Sequence, residues 1–484
     1  MLEFVKSHFW NILIGVNYML AISAAIVILF KNINPSKTLS YIIVLVFFPF
    51  FGLLIYYFFG QEYRKNKIFN RKRILNKSVV KRVQEEQVLN KRELADVSKK
   101  LNEKIKLVRL LHNSDKSPLT LENDVTLLID GNMKFKQLLK DLKAAKHHIH
   151  LEYYIIKDDN IGTKVIDVLC EKAEAGVKVR LIFDDVGSKI SRAARKRLKQ
   201  SGVAFFPFMP VLFPRFSGKM NYRNHRKIVV VDGEIGYVGG INISDKYVNY
   251  DDAQQYWRDT HIRLVGEAVK QLQIHFLTTW DFVSGASLSI TSSYFPEITC
   301  KKDVAVQIAG SGPDTDWANI MEVLILAITT ADKYVYITTP YFIPNDEIIT
   351  AIQIADKSGV EVKIIVPQKS DSWTAEHATN SFLGPLLEAG VEVYRYTKGF
   401  VHAKTVVIDD VFCTVGTANM DYRSFNINFE INALIYNNEV GARLKQQFLK
   451  DLEACEKLEL NSWQQRPGYI KLQESFCRLW APLL

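Results

Sequence analysis

At 484 residues and 48% hydrophobic content the chain has room for two or three domains and an ample core, which excludes an intrinsically disordered protein. Lys and Arg number 62 against 52 Asp and Glu; the net charge of +10 suits nucleic acid, an anionic membrane surface or phosphate-bearing substrates without choosing among them. The five scattered cysteines have no C-x-x-C spacing, so a disulfide framework and a zinc cage are excluded and reduced thiols in a cytoplasmic domain are expected, with Cys413 a small core residue.

Phe9 to Phe30 carries no charge, and neither does Leu39 to Phe59; as a helix each could cross a hydrocarbon core of about 30 Å. The first run is too long for a signal peptide's apolar region, and only a short polar loop separates the two. A two-helix transmembrane hairpin is therefore predicted for residues 1–60, kinked at Pro49, with Trp10, Tyr56 and Tyr57 at the interfaces. Arg64, Lys65, Lys67, Arg71 and Arg73 outweigh Lys31 and Lys37 in the loop, which predicts both termini and the body of the chain on the cytoplasmic side of the cell membrane. The same cluster could hold anionic headgroups at about 1 kcal/mol per basic residue, although topology alone accounts for it. Residues 61–124 read as a basic helical connector, amphipathic from about Val79 to Leu111.

From about Val125 helical and strand-like stretches alternate, and the order repeats: residues 125–300 form one α/β half and 301–484 a second. Ile149 to Tyr154 corresponds to Val335 to Tyr341, Ala175-Gly176-Val177 to Ser358-Gly359-Val360, and Ser201-Gly202-Val203 to Ala389-Gly390-Val391. So long a repeat is a duplicated domain rather than a solenoid. The first copy has a longer insert before its motif, with Phe205-Phe206-Pro207-Phe208-Met209-Pro210-Val211-Leu212-Phe213-Pro214. Its prolines speak against a helix or a central strand. Two readings stand side by side, a buried loop and a hydrophobic lip of Phe206, Phe208 and Phe213 that dips toward the bilayer to admit acyl chains.

The motif itself is Asn224-His225-Arg226-Lys227, a Val/Ile run, Asp232-Gly233, then Gly239-Gly240-Ile241-Asn242. Its second copy is His402-Ala403-Lys404, a similar run, Asp409, then Gly416-Thr417-Ala418-Asn419. The apolar runs mark strands buried on both faces, and residues two apart, such as His225 and Lys227, share a face. If Gly233-Glu234 forms a two-residue loop, Asp232 faces Ile235 and Asn242 falls opposite His225; the same register sets Asn419 opposite His402. Asp232 and Asp409 then belong to turns and are structural rather than catalytic. Asp410-Val411 suits a primed turn poorly, so the second loop is open to a different type.

Histidine is a nucleophile and an acid or base near neutral pH, while Lys and Asn donate to phosphate oxygens. Two Lys and two Asn facing each other would clamp one phosphodiester, with one imidazole attacking phosphorus and the other protonating the leaving alcohol. Asp259 and Glu430, each about thirty residues past the motif His of its half, are the candidates to orient the two imidazoles. No carboxylate or His/Cys cluster has ligand spacing, and there is no P-loop or G-x-S-x-G, so neither metal nor cofactor is expected. The other histidines have no such frame, although His150 lies in a strand that could pass near the site.

His-x-Lys-x4-Asp-x6-Gly-(Gly/Thr)-x-Asn, present twice, resembles the paired motif of the phospholipase D superfamily, and within it the chain is similar to the bacterial cardiolipin synthase family. Supporting stretches are the two apolar amino-terminal runs, Ile149 to Ile155, Thr339-Pro340-Tyr341-Phe342-Ile343-Pro344, Gly416 to Phe425 and Arg478 to Leu484. The resemblance implies two α/β sandwich halves related by a pseudo-two-fold around one site, and a covalent phosphohistidine, with His225 the nucleophile and His402 the general acid. It also implies active-site status for Asp232 and Asp409, beside Lys227 and Lys404. The implied substrate is phosphatidylglycerol in an anionic membrane: transfer to a second phosphatidylglycerol gives cardiolipin and glycerol, and water gives phosphatidic acid. Trp373 to Phe382 and Gly384-Pro385 depart from the family pattern and bear on acceptor recognition. A related nuclease is disfavoured by the membrane hairpin, so no nucleic-acid partner is expected; an inactive scaffold is disfavoured by intact motifs. A membrane phospholipase D acting on another phospholipid is the remaining alternative, and the sequence does not set the oligomeric state.

Overall fold

The computed structural model describes residues 8–30, 35–59, 74–75, 77–210, 222–250, 255–285, 288–300 and 302–481. These form two units, one of amino-terminal helices up to Phe59 and one running from Ile74 to Ala481. The basic cluster Arg64 to Arg73, Lys31 and the end of the Phe/Pro stretch, Val211 to Pro214, lie outside the described residues.

In the first unit Phe9–Phe30, 22 residues without a charge, is the one helix among the described residues long and apolar enough to cross a membrane. The second apolar run is divided into Pro35–Phe47 and Pro49–Phe59. Proline has no amide hydrogen to donate, so Pro49 stands at a helix start, where none is needed. The interruption is local, because Phe48 N still reaches Val44 O at 2.9 Å and Gly52 N reaches Phe48 O at 2.6 Å. Ala21, Ile28 and Leu45 form the interior of this unit.

The connector is not a spacer. Its helices Ser78–Glu86, Lys91–Leu101 and Ile105–Asp115 open the second unit, the middle one closed at its start by a capping box of Asn90 and Glu93. Their apolar faces are too wide to stay in water: Val97, Leu101, Ile105, Leu107, Val108 and Leu111 join the core of the second half.

The first half is a seven-stranded sheet of order β1-β8-β6-β5-β2-β3-β4, from β1 (Asn123–Leu128), β2 (His148–Tyr153), β3 (Lys178–Asp184), β4 (Ala204–Phe208), β5 (Ile228–Val231), β6 (Ile235–Gly239) and β8 (His261–Gly266). Between β6 and β8 lies the short strand β7 (Tyr256–Arg258). The second half repeats that order as β9-β18-β16-β15-β10-β12-β13, with one added edge strand, β19. Its strands are β9 (Ala305–Ser311), β10 (Tyr334–Thr338), β12 (Glu361–Pro367), β13 (Glu392–Tyr396), β15 (Thr405–Ile408), β16 (Phe412–Gly416), β18 (Glu430–Tyr436) and β19 (Cys455–Lys457). Short β11 (Phe342–Ile343), β14 (Gly399–Val401) and β17 (Met420–Asp421) complete the set.

One face of each sheet is covered by helices of its own half, joined in the second by those of the connector, and the opposite faces share a core in which Val125, Ile228, Val230 and Ile262 meet Val306, Val407, Val415 and Ile431. That is why β5 and β15 read as unbroken apolar runs: all four residues of each are buried. The duplication extends to side chains, with His150 stacked on Phe276 at 4.4 Å and Tyr336 on Phe448 at 4.7 Å. His150 is thereby a core residue, bonded to Gln273 and Arg180 and outside the site. All five cysteines are free, and Cys413 is fully buried.

The Phe/Pro stretch begins as β4, an edge strand, where Pro207 fits because edge positions tolerate a missing donor. Phe208 is fully buried between Phe282 and Phe429, and Phe206 packs edge-on to Trp280 at 5.2 Å. These two are therefore body rather than lip.

Candidate active site

Each motif folds as a hairpin, β5–β6 in the first half and β15–β16 in the second. The register differs by one residue from the sequence expectation: Val231 faces Ile235 and Ile408 faces Phe412, which leaves three-residue loops. The reason lies at Asp232 and Gly233, with φ of 55° and 76°, and at Asp409 and Asp410, with φ of 55° and 57°. Two consecutive left-handed residues, with Glu234 N bonded to Val231 O, make a type I′ turn one residue earlier than supposed. Asp tolerates that conformation, so the two loops are of one kind and Val411 is spared a central position. Regular pairing stops at Ile228–Val238, so the asparagines are placed by the irregular backbone beyond it.

The two halves exchange their orienting carboxylates. His225 Nδ1 lies 3.0 and 2.9 Å from the two oxygens of Glu430, and His402 Nδ1 lies 2.7 Å from Asp259. Backbone pairing enforces the crossing: β14, just before His402, runs parallel to β7, just before Asp259, and Asn224 bridges to Phe429. His402 N donates to Arg258 O at 2.7 Å and His225 N to Phe429 O at 3.0 Å. A carboxylate only accepts, so each imidazole carries its proton on Nδ1 and presents the Nε2 lone pair. All four side chains are buried.

The two dyads are electrostatically unequal. Burial would raise Glu430, but His225 and Lys227 hold it below its ordinary value, helped by Thr417 Oγ1 at 2.5 Å. Asp259 is pushed up to about 6 by burial, against the pull of Lys404. His225 is the main group holding Glu430 down, and Thr417 adds a hydroxyl bond; the matching Gly240 has no side chain, and a Cβ there would lie 2.1 Å from Asp259 Oδ1. Burial lowers His225 to about 4 despite Glu430, and takes His402 well below its usual value.

Lys227 and Lys404 each fold back onto the carbonyl of their motif His, at 2.7 and 2.5 Å. Burial drives Lys227 down to about 7 against Glu430, with Lys404 repelling it, and Lys404 down to about 8 against Asp259. Two desolvated ammonium groups in mutual repulsion are poised to be neutralised by an anion. Asn242 donates to Tyr247 Oη at 2.7 Å and accepts from Ile155 N; Asn419 donates to Asp421 at 2.9 Å. Each amide thus commits one N–H within the protein.

Asp232 and Asp409 are not among these groups. They sit at the turn end of their strands, about 16 Å of extended chain from the motif lysines at about 3.3 Å per residue. Asp232 accepts from the amides of Lys146, His147 and His148 at 2.8 to 2.9 Å, which pins the start of β2. Asp409 does the same for Asp332, Lys333 and Tyr334 before β10, and takes Lys104 of the connector at 3.2 Å. The structure thus places both carboxylates on backbone amides at the turns, apart from the motif His, Lys and Asn side chains.

Aromatic groups that spacing did not single out complete the lining. Tyr154 lies 5.0 Å from the His225 ring; Tyr247 and Trp257 lie 5.7 and 5.4 Å from that of His402. Nothing local in the sequence marks Tyr154, Tyr247 or Trp257.

A pair of carboxylate-bonded histidines and two buried lysines, shared by two sheets of one strand order, is a site of the phospholipase D-like class. The family described as "Cardiolipin synthase, PLD-like domain" matches residues 138–280 and 324–452, and "Phospholipase_D-nuclease N-terminal" matches residues 19–61. The chain is 41% identical to a cardiolipin synthase of Halalkalibacterium halodurans over 95% of this chain and 91% of that one. It is 40% identical to one of Alkalihalophilus pseudofirmus, over 99% and 95%. Among solved structures, phosphatidylserine synthase of Haemophilus influenzae covers 78% of this chain and all of its own, with a TM-score of 0.61 at 16% identity, a likeness of fold. The chain belongs to the cardiolipin synthase family.

Proposed function

We propose that the protein transfers a phosphatidyl group from one phosphatidylglycerol to another, giving cardiolipin and glycerol. The observation that carries the site's chemistry is the crossed pairing of His225 with Glu430 and His402 with Asp259 around Lys227 and Lys404. One imidazole Nε2 attacks phosphorus and the P–O bond to glycerol breaks. The other imidazole, carrying a second proton on Nε2 once the anionic phosphodiester is bound, gives that proton to the departing oxygen and recovers one from the acceptor's hydroxyl as that oxygen displaces the first imidazole. Lys227 and Lys404, with the second N–H of Asn242 and of Asn419, hold the non-bridging oxygens where charge develops.

The amino-terminal segment 1–60 acts as a hairpin anchor, 61–124 links it to the halves 125–300 and 301–484, and the catalytic body faces the cytoplasm. Phe9–Phe30, apolar along its whole length, supports the anchor. The test is turnover of phosphatidylglycerol by the purified chain in mixed micelles, with products read by mass spectrometry. Cardiolipin with glycerol is expected; phosphatidic acid alone would instead make the protein a hydrolase, and no turnover would refute both.

A further inference from the structure

Arg223 and Arg423 stand together beside His225, and the chemistry above gives them no task. Arg223 precedes His225 by two residues in extended backbone, so both side chains leave one face. The Asn224–Phe429 bridge lays that segment alongside Asn428-Phe429-Glu430, with Phe429 N donating to Arg223 O at 2.9 Å. Asn428 and Glu430 share a face in the same way, and Asn428 ties the group together. Its Nδ2 donates to Glu430 at 3.3 Å, and its Oδ1 accepts from Arg423 Nε at 3.1 Å.

Two guanidinium groups therefore flank the His225–Glu430 pair, both acting on Tyr154. The carboxylates acting on Arg223 are Asp184, at 4.0 Å, and Asp185, and Asp184 already accepts from the amides of Val186, Gly187 and Asn224. Burial lowers the Arg223 guanidinium and Arg423 lowers it further, as expected of like charges held close. Around His402 the position matching Arg223 is Phe400 and that matching Asn428 is Trp257, aromatic rings 4.6 Å apart. The cation beside those rings is Lys246, 4.1 Å from the Trp257 ring and paired with Asp371 at 3.4 Å, so the guanidinium pair belongs to the His225 side.

We propose that Arg223 and Arg423 form a second phosphodiester site, which holds the phosphate of the acceptor phosphatidylglycerol while its terminal hydroxyl attacks the phosphohistidine. The proposal rests on the transferase reading. A hydrolase handles one phosphate at a time, and Lys227 with Lys404 suffices for it. A synthase that joins two phosphodiesters must hold two anions a glycerol bridge apart, and planar guanidinium groups suit phosphate oxygens.

The test runs two reactions of the full chain in phosphatidylglycerol micelles: cardiolipin formation, and exchange of labelled glycerol into phosphatidylglycerol. The second shares the donor step but has a neutral acceptor. In Arg423→Gln the ratio of cardiolipin formation to exchange should fall about tenfold or more, the scale of a lost charged hydrogen bond. The loss should appear as a higher KM for phosphatidylglycerol in cardiolipin formation, and Arg423→Lys should recover part of it. Arg223→Lys should shift the ratio in the same direction, and exchange reports folding in every variant. A parallel decline of both reactions would overturn the second site and leave the arginines as supports of His225 and Glu430. A wild-type chain that exchanges glycerol yet makes no cardiolipin would instead refute the transferase reading itself.

Discussion

The two ends of each motif hairpin come from one short motif and reach their partners in opposite ways. At the His/Lys end the partner belongs to the other half, so His225 meets Glu430 and His402 meets Asp259 only when both halves have folded together. At the turn end Asp232 binds amides of its own half, Lys146 to His148, and contributes as soon as β2 and β5 pair. Polar residues at fixed offsets are thus divided between the interface of the two halves and the turns by where the backbone leaves them.

The largest effects should fall at the crossed end. His225→Ala and His402→Ala should each cost cardiolipin formation about 10³-fold or more, since attack and proton transfer are both lost in turn. Near-wild-type turnover in either would break the two-histidine reading. Glu430→Gln and Asp259→Asn should cost about 10²-fold, because an amide can no longer demand a proton on Nδ1. Crossing is read directly by histidine nitrogen NMR. Glu430→Gln should move the His225 signals and Asp259→Asn those of His402; the reverse assignment would undo the exchange between halves.

Milder still is the effect of pH. Lys227 and Lys404 carry charge below their lowered values of about 7 and 8 and lose it above them. Asp259, raised to about 6, is ionised only above that value. Profiles of kcat/KM should therefore fall on the acid side near 6 and on the alkaline side from about 7 to 8. A flat profile from 5 to 9, about two units either side of neutral, would contradict the buried clamp.

What could be read from the sequence was whatever depends on local periodicity. Buried strands, the shared face of His225 and Lys227, and the duplication itself follow from residue spacing, and so did the choice of Asp259 and Glu430. Their exchange was hidden because pairing of β7 with β14 joins segments more than a hundred residues apart, and no spacing within one half encodes it. The register slipped by one because φ at Asp232, not the identity of Gly233, sets where the turn begins. Connector docking was missed for a related reason: an amphipathic helix declares that it has a partner without saying which. Arg223 and Arg423 escaped notice because nothing in one chain segment marks two arginines brought together by the Asn224–Phe429 bridge.

The turn end should give the smallest catalytic effect and the clearest separation of the two roles. Asp232→Ala removes a carboxylate bound by three amides and places alanine at φ of 55°, so a stability loss of about 2 to 4 kcal/mol is expected from lost charged hydrogen bonds and left-handed strain. Asn tolerates that φ and keeps one acceptor, so Asp232→Asn should lose less. Asp409→Ala should lose more than Asp232→Ala, because Lys104 would be left buried without its carboxylate. Burial opposes its ionisation, yet three amides and Lys104 hold Asp409 below the usual carboxylate range, so its stabilisation is complete at neutral pH and lost only as pH falls through that lowered value. In all three variants kcat per folded molecule should stay within about threefold of wild type, the scatter expected of substitutions remote from the chemistry. Thermal unfolding alongside single-concentration turnover separates the outcomes. Collapse of kcat with an unchanged Tm would return Asp232 and Asp409 to the active site and erase the contrast between the hairpin's two ends.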